Sequence, residues 1–185
     1  MIKIRELINL NPADLERIAS GYSSNTKYKV VVESSEEQVS INLQLVKLKK
    51  PYIKKFDHFD NQLIERYNSF LKDNYSFGAY DGNFLIGLAL AEPHLWNQTL
   101  WMNEFHVAET YRHQGIGKQL MEYVIKKAQE EKLRAIVCET QNTNTSAIRF
   151  YQSLGFKIEG VDISYYSNND YPDGEIALFL KRRLV

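Results

Sequence analysis

The chain has 185 residues, 44% of them apolar and 25% charged, with 12 tyrosines and 9 phenylalanines; this excludes disordered and fibrous classes and suits one compact domain, residues 1–185, that folds alone. Lysine plus arginine and aspartate plus glutamate each number 23, so no net positive field gathers nucleic acid or an anionic membrane, and neither is expected as a partner. Cys138 is the single cysteine and forms no internal disulfide, the charged start is unlike a secretion signal, and no run approaches the ~20 apolar residues of a membrane span, so a cytoplasmic protein is expected.

Asn11-Pro12-Ala13-Asp14 predicts a helix start, with Asn11 as cap, Pro12 in the first turn and Asp14 near the positive end of the dipole. That helix should be short, ending near Gly21. Val39, Ile41, Leu43 and Leu45 alternate with polar residues and predict a strand with one buried face, which Lys49-Lys50-Pro51 should stop. Leu63, Ile64, Tyr67, Phe70 and Leu71 recur at helical spacing, and Asp81-Gly82-Asn83 turns between two apolar segments as a hairpin. From Leu100 the order becomes β-α-β-α-β. A strand over Leu100 to Ala108 precedes a helix buried through Leu120, Met121, Val124, Ile125 and Ala128, and Ala135 to Cys138 forms a buried strand. A second helix is marked by Ala147, Ile148, Tyr151 and Leu154 and closed by Gly155. Phe156 to Ile163 and Glu175 to Leu180 supply two more strands, joined by the turn-rich "SNNDYPDG". There is no internal repeat or interdomain linker.

"YRHQGIGKQL", Tyr111 to Leu120, lies where the first of these strands meets its helix. Arg112-x-x-Gly115-x-Gly117 before a helix gathers backbone N–H groups at one spot, backed by the helix dipole, and suits a phosphate. Glycine there lets the backbone approach a pyrophosphate and adopt positive φ; an ordinary strand-to-helix turn is the other reading. Gly117-Lys118-Gln119 lacks the hydroxyl of a Walker loop, and the glycine spacing is not that of a Rossmann fold.

The second element is "NTNTSAIRFYQSLGF", Asn142 to Phe156, which places Asn144 at a helix head and Tyr151 two turns along. With both motifs in this order, the chain resembles the GCN5-related N-acetyltransferase (GNAT) superfamily, in which Arg/Gln-x-x-Gly-x-Gly/Ala binds the acetyl-CoA pyrophosphate and an Asn…Ala…Phe-Tyr…Gly-Phe helix follows. The resemblance implies an α/β (α+β) fold whose mixed sheet, flanked by helices, splays between its fourth and fifth strands. It also implies that acetyl-CoA, the cosubstrate, meets Phe105, His106, Val107 and Ala108 on the strand, then the loop through Arg112, His113, Gln114, Gly115, Ile116, Gly117 and Lys118, then Asn144, Ser146 and Tyr151. His113 stands where many relatives carry Gly, Arg or Lys. "CETQNTNTSAIRFYQSLGFKIEGVDISYYSN", with Pro51-Tyr52-Ile53-Lys54 upstream, is similar to the streptothricin acetyltransferases, which implies the β-lysine amine of streptothricin as acceptor and antibiotic resistance as the role.

An alkyl amine of pKa about 10 is protonated at neutral pH and cannot attack a thioester until it loses a proton. Glu104 stands where members of the superfamily often carry a base; an edge carboxylate or a binder of substrate ammonium is its other reading. Glu139 is the runner-up, or holds the substrate cation. Val107 and Ala108 match the backbone donors to the oxyanion, and Tyr151 matches the acid that protonates the departing thiolate, with buried packing as its alternative. Cys138 reads as a core thiol. His58, His94, His106 and His113 show no zinc-type pairing, so no metal is expected. Asp162, Asp170 and Asp173 could attract a polycation but read first as a solvated turn. Two rivals stay open: a GNAT enzyme for another amine (polyamine, aminoglycoside or protein N-terminus), and a CoA-binding module without catalysis. A monomer or homodimer is expected.

Overall fold

The computed structural model describes residues 1–56 and 59–184. His58 lies outside the described residues. The chain forms two compact units, each built from separated stretches: residues 1–21, 55–138 and 182 onward, and residues 22–54 and 139–181.

In the first unit, β1 (Ile2–Glu6) leads to α1 (Pro12–Ile18), where the Asn11 side chain accepts from the Asp14 N–H as the sequence predicts. α2 (Asn61–Phe70) is capped by Asp60, whose side chain accepts from Leu63 N–H. β4 (Phe77–Asp81) and β5 (Phe84–His94) form the expected hairpin, with Asp81 opposite Phe84 and Gly82 at φ +58°. β6 (Thr99–Val107), α3 (Ile116–Glu130) and the start of β7 (Ala135–Gln141) complete the unit. The strands lie in the order β1-β4-β5-β6-β7, antiparallel except for the last pair. The parallel register covers Thr99–Met102 against Ala135–Cys138, while β6 runs on to Val107.

Two apolar layers hold this sheet. On one face, Leu10, Leu15 and Ile18 pack with Ile64 and Tyr67 of α2 and with Leu88 and Leu90 of β5. The opposite face takes α3, whose Leu120, Met121, Val124, Ile125 and Ala128 are all buried as the helical spacing predicts. Each of the larger of these side chains, Leu, Met, Val or Ile, contributes about 1.5–3 kcal/mol by leaving water. Gly87 lets α3 approach, because a Cβ there would lie 3.3 Å from Leu120 Cδ1.

The second unit holds the two-stranded ribbon of β2 (Tyr22–Ser34) and β3 (Val39–Lys54), the end of β7, α4 (Thr145–Ser153), β8 (Lys157–Asp162) and β9 (Ala177–Arg183) as far as Lys181. β9 lies between β7 and β8 in the sheet order. α4 begins at Asn144, whose side chain accepts from Ala147 N–H at 3.2 Å, and ends at Gly155 with φ +85°. Its first turn meets β2 through Thr145, whose hydroxyl bonds those of Ser24 and Thr26, each at 2.8 Å.

Two expectations about β3 need correction. The strand does not stop at Lys49-Lys50-Pro51 but continues to Lys54. The register explains why: Thr26 faces Lys47 and Ser24 faces Tyr52, so Pro51 falls in an irregularity where it owes the ladder no N–H. Nor does the apolar alternation mark a buried face, since Val39, Ile41 and Leu45 are exposed.

Candidate active site

The glycine loop lies in the first unit. A short 3-10 turn, Glu109–Tyr111, follows β6; His113 then takes φ +62° and Gly115 φ +81°, and Gly115 is the N-cap of α3. Gly115 gives α3 no side-chain cap, and the first helical bond runs from Gln119 N–H to Gly115 O, 3.1 Å. The N–H groups of Ile116, Gly117 and Lys118 therefore sit ahead of that bond at the positive end of a 15-residue helix. Ile116 itself is buried, and the Lys118 ammonium is 3.9 Å from Glu122 on the exposed side.

Arg112 straps the loop to the chain. Its Nε donates to Val107 O at 3.0 Å, and one terminal nitrogen donates to Ser20 Oγ at 3.0 Å and Gly21 O at 3.1 Å. Gln114 Nε2 donates to Thr110 O at 3.0 Å. These contacts set the shape from which the amides point.

Glu104 lies on β6 at the centre of a short hydrogen-bonded row. Tyr67 of α2 donates its O–H to Glu104 Oε1 at 2.5 Å, and His106 Nε2 is 2.5 Å from Oε2. Phe56 meets the His106 ring edge-on, with centroids 5.5 Å apart. Burial, then the Glu104 charge, pushes the Tyr67 phenol above its ordinary value, so Tyr67 stays a donor. Nothing in the sequence singled out Tyr67 as a partner; its spacing with Ile64 marks only a core face.

Of the two expected oxyanion donors, the Ala108 N–H donates to Ile86 O at 2.8 Å. Successive amides of a strand point to opposite sides, so the Val107 N–H points away from β5. A bulge in β6 also matters: Leu90 pairs with Glu104 and Ala91 with Met102, leaving Asn103 as the extra residue. The Asn103 Nδ2 is buried and finds no hydrogen-bond partner among the described residues. Phe105 lies between the bulge and Val107 and is half-buried.

In the second unit, Tyr151 is buried in α4 against Phe150 and Phe156, with ring centroids 5.4 and 5.5 Å away. Asn144 caps the helix, and Ser146 Oγ donates to Asn144 Oδ1 at 3.0 Å. Glu139, on β7, accepts from the Tyr166 hydroxyl. Asp162 accepts from Ser164 N–H at 3.0 Å, which is turn chemistry. Asp170 is buried and accepts from Tyr166 N–H, Ser167 N–H and Ser167 Oγ; burial raises its carboxyl, but those bonds together hold it below the ordinary value. Cys138 is buried on β7.

Residues 43–156 match the Acetyltransferase (GNAT) family. The chain belongs to the GNAT acetyltransferases. As a GNAT enzyme it is an acyltransferase with acetyl-CoA as cosubstrate, and its mixed sheet flanked by helices is the fold the motifs implied. It is 33% identical over 133 residues to Streptothricin acetyltransferase A of Bacillus subtilis (strain 168), covering 70% of this chain and 72% of that protein. A solved nourseothricin acetyltransferase superposes with TM-score 0.75 at 24% identity, covering 100% of this chain and 99% of that one. A Bacillus anthracis str. Ames protein in complex with acetyl coenzyme A gives TM-score 0.73 at 24% identity over 99% of each chain.

The residues of this GNAT chain fit that cosubstrate. A helix N-terminus without a side-chain cap and with a left-handed glycine suits a pyrophosphate, and the buried Asn103 amide offers a donor where the parallel strands stop pairing. Among the described residues no helix is long and apolar enough to cross a membrane.

Proposed function

We propose that this enzyme moves the acetyl group of acetyl-CoA directly to a primary amine of a small cationic molecule, with the β-lysine amine of streptothricin as acceptor. The observation that carries the acceptor is the similarity to Streptothricin acetyltransferase A across 70% of the chain.

Direct transfer makes three demands on the chain. The first is proton removal: at pH 7 an amine of pKa about 10 is neutral in roughly one molecule per thousand, a deficit of about 4 kcal/mol. Glu104 meets it. Tyr67 and His106 use one lone pair on each carboxylate oxygen, which orients the group and leaves two lone pairs to accept. The second demand is a donor for the oxyanion, which the Val107 N–H supplies. The third is a proton for the leaving thiolate, and Tyr151 gives it. The amides at the head of α3 hold the pyrophosphate, with Arg112 keeping their loop in shape.

The test is CoA release by purified protein with streptothricin, an aminoglycoside, a polyamine and a peptide N-terminus as competing acceptors. Streptothricin is expected to have the highest kcat/KM. A higher value for any other amine replaces the acceptor, and acetyl-CoA binding without CoA release from any of them replaces catalysis with a binding role.

A further inference from the structure

Two asparagine carboxamides of this chain are bonded at both ends. Asn68 accepts from Leu10 N–H at 2.9 Å and donates to Leu10 O at 2.8 Å, and Asn142 accepts from Ile176 N–H at 3.0 Å and donates to Tyr28 O at 2.8 Å. Each pins a distant stretch of backbone. Asn103 does no such thing: its Nδ2 is shut off from solvent and finds no hydrogen-bond partner among the described residues. A buried donor left unbonded is costly, and native structures keep few of them without a use.

Its position is a second observation. Asn103 is the extra residue of the β6 bulge, between the pairs Met102↔Ala91 and Glu104↔Leu90, so no residue of β5 stands opposite it to call for a polar side chain. It adjoins Glu104, whose carboxylate already has Tyr67 and His106. It is also the first residue of β6 beyond the stretch paired with β7, which ends at Met102↔Cys138. Strands are poor in asparagine, and bulges recur beside active sites, where they re-aim a side chain. All of these residues belong to the first unit.

We propose that Asn103 is a ligand-binding residue: its Nδ2 stays unbonded in the free enzyme and donates to a carbonyl oxygen of a bound ligand. Two ligands can bring such an oxygen, the acyl-pantetheine arm of acetyl-CoA and an acyl group of the acceptor; only the second rests on the reading of the acceptor given above. Asn103 as a whole is half-buried, and the last torsion of an asparagine is broad and two-fold, so a turn of the carboxamide presents the nitrogen while β6 stays in place. Because the donor is already out of water, bonding it to a ligand sacrifices no hydration, and the bond goes into affinity.

The carboxamide is read directly in a nitrogen–proton correlation spectrum of the labelled full chain, where the NH2 pair missing from Asn103→Leu belongs to Asn103. Acetyl-CoA and CoA are titrated separately, and then CoA together with the acceptor of highest kcat/KM in the competition assay. A downfield shift of the pair with acetyl-CoA or CoA alone assigns the oxygen to the cosubstrate, and a shift only once the acceptor joins CoA assigns it to the acceptor. Asn103→Leu puts an apolar group of similar shape in place of the amide, so it is expected to raise Tm by about 2–4 °C and to weaken the ligand that moved the pair about 10-fold. A purely structural carboxamide gives the opposite pattern, a lower Tm with unchanged affinity, and that result overturns the proposal. Asn103→Asp keeps the shape and removes both donors; it supplies the assignment and the affinity if the leucine variant does not fold. An NH2 pair that no ligand moves, or wild-type affinity in these variants, overturns the proposal as well. The acetyl-CoA arm needs no turnover, so it decides by itself if no acceptor is acetylated, and rejection of streptothricin as acceptor leaves it standing.

Discussion

Replacing Glu104 by glutamine separates its proposed role as base from a role as scaffold. Glutamine keeps one carbonyl oxygen for the Tyr67 hydroxyl, now 2.5 Å from Glu104 Oε1, but presents an NH2 group to His106 Nε2, now 2.5 Å from Oε2. One charge-assisted bond is lost, worth about 1.5–3 kcal/mol of stability at most, while the proton acceptor is removed altogether. Without a base, the reaction proceeds only through amine that is already neutral. The kcat/KM of Glu104→Gln at pH 7 is therefore expected to fall by about 10²–10⁴, and to recover about tenfold per pH unit as the pH climbs toward the amine pKa near 10. The wild-type profile is flatter over the same range. Tyr67 does not confuse this measurement, since its phenol is held above the ordinary tyrosine value by burial and by the Glu104 charge. The assay is CoA release from pH 6.5 to 9.5 at saturating acetyl-CoA, with Tyr67→Phe as a partner variant that removes a donor and keeps the carboxylate. A Glu104→Gln enzyme within about threefold of wild type, with a parallel profile, would refute the assignment of the base.

Three further outcomes follow from single side chains. Tyr151→Phe should lose turnover by about 10²-fold or more while keeping acetyl-CoA affinity by calorimetry; near-normal turnover would leave Tyr151 as packing for Phe150 and Phe156. Gly115→Ala meets no atom within 4 Å but must hold φ +81°, so it should cost about 1 kcal/mol and lower Tm by about 2–4 °C, and it should weaken acetyl-CoA binding by displacing the loop amides. Tyr52 is pushed up to about 12 by burial, then by its hydrogen bond to Glu175 and that residue's charge. A folded value above the unfolded one, about 10, means that the stabilisation is complete below pH ~10 and is lost as the pH rises toward 12. Tyrosinate absorbance should therefore show a late-titrating ring that Glu175→Gln moves earlier, and chemical denaturation should show stability falling over that interval.

The parts of the fold that were legible in the sequence are those whose burial follows a simple period. Helix α3 shows this well: the five apolar positions at helical spacing are all buried, and Ile116 at its first turn joins them. The Asn11 cap and the Asp81-Gly82-Asn83 hairpin are legible because a specific backbone group needs each residue type. β1 and β2 were not foreseen. β1 is a five-residue strand paired on one side by β4, and β2 mixes Lys27 and Lys29 among its valines because one face of the ribbon meets water. In β3 the same local logic misled, since period two fixes which residues share a face but not what covers that face. The site divides likewise. The glycine loop and α4 carry local signatures, whereas Tyr67 reaches Glu104 from 37 residues away, and no spacing rule connects them.

The bulge at Asn103 ties that local ambiguity to the chemistry. Residues opposite one another in an antiparallel pair share a face, so Glu104 and His106 stand on the side of Leu90 and Leu88, where Tyr67 and the α1–α2 layer pack. If β6 simply continued from the pair Ala91↔Met102, Asn103 would oppose Leu90 and Glu104 would oppose Ala89, on the face that carries α3. One extra residue thus turns Glu104, the proposed base, toward Tyr67 rather than into the α3 core. The same step sets which of the Val107 and Ala108 amides pairs with β5. With the register reset, Ala108 N–H meets Ile86 O, and the Val107 N–H is turned away from β5. The sequence displays Asn103-Glu104-Phe105-His106 as an unremarkable polar–apolar alternation, and only the pairing of β6 with β5 shows which half of it faces the chemistry.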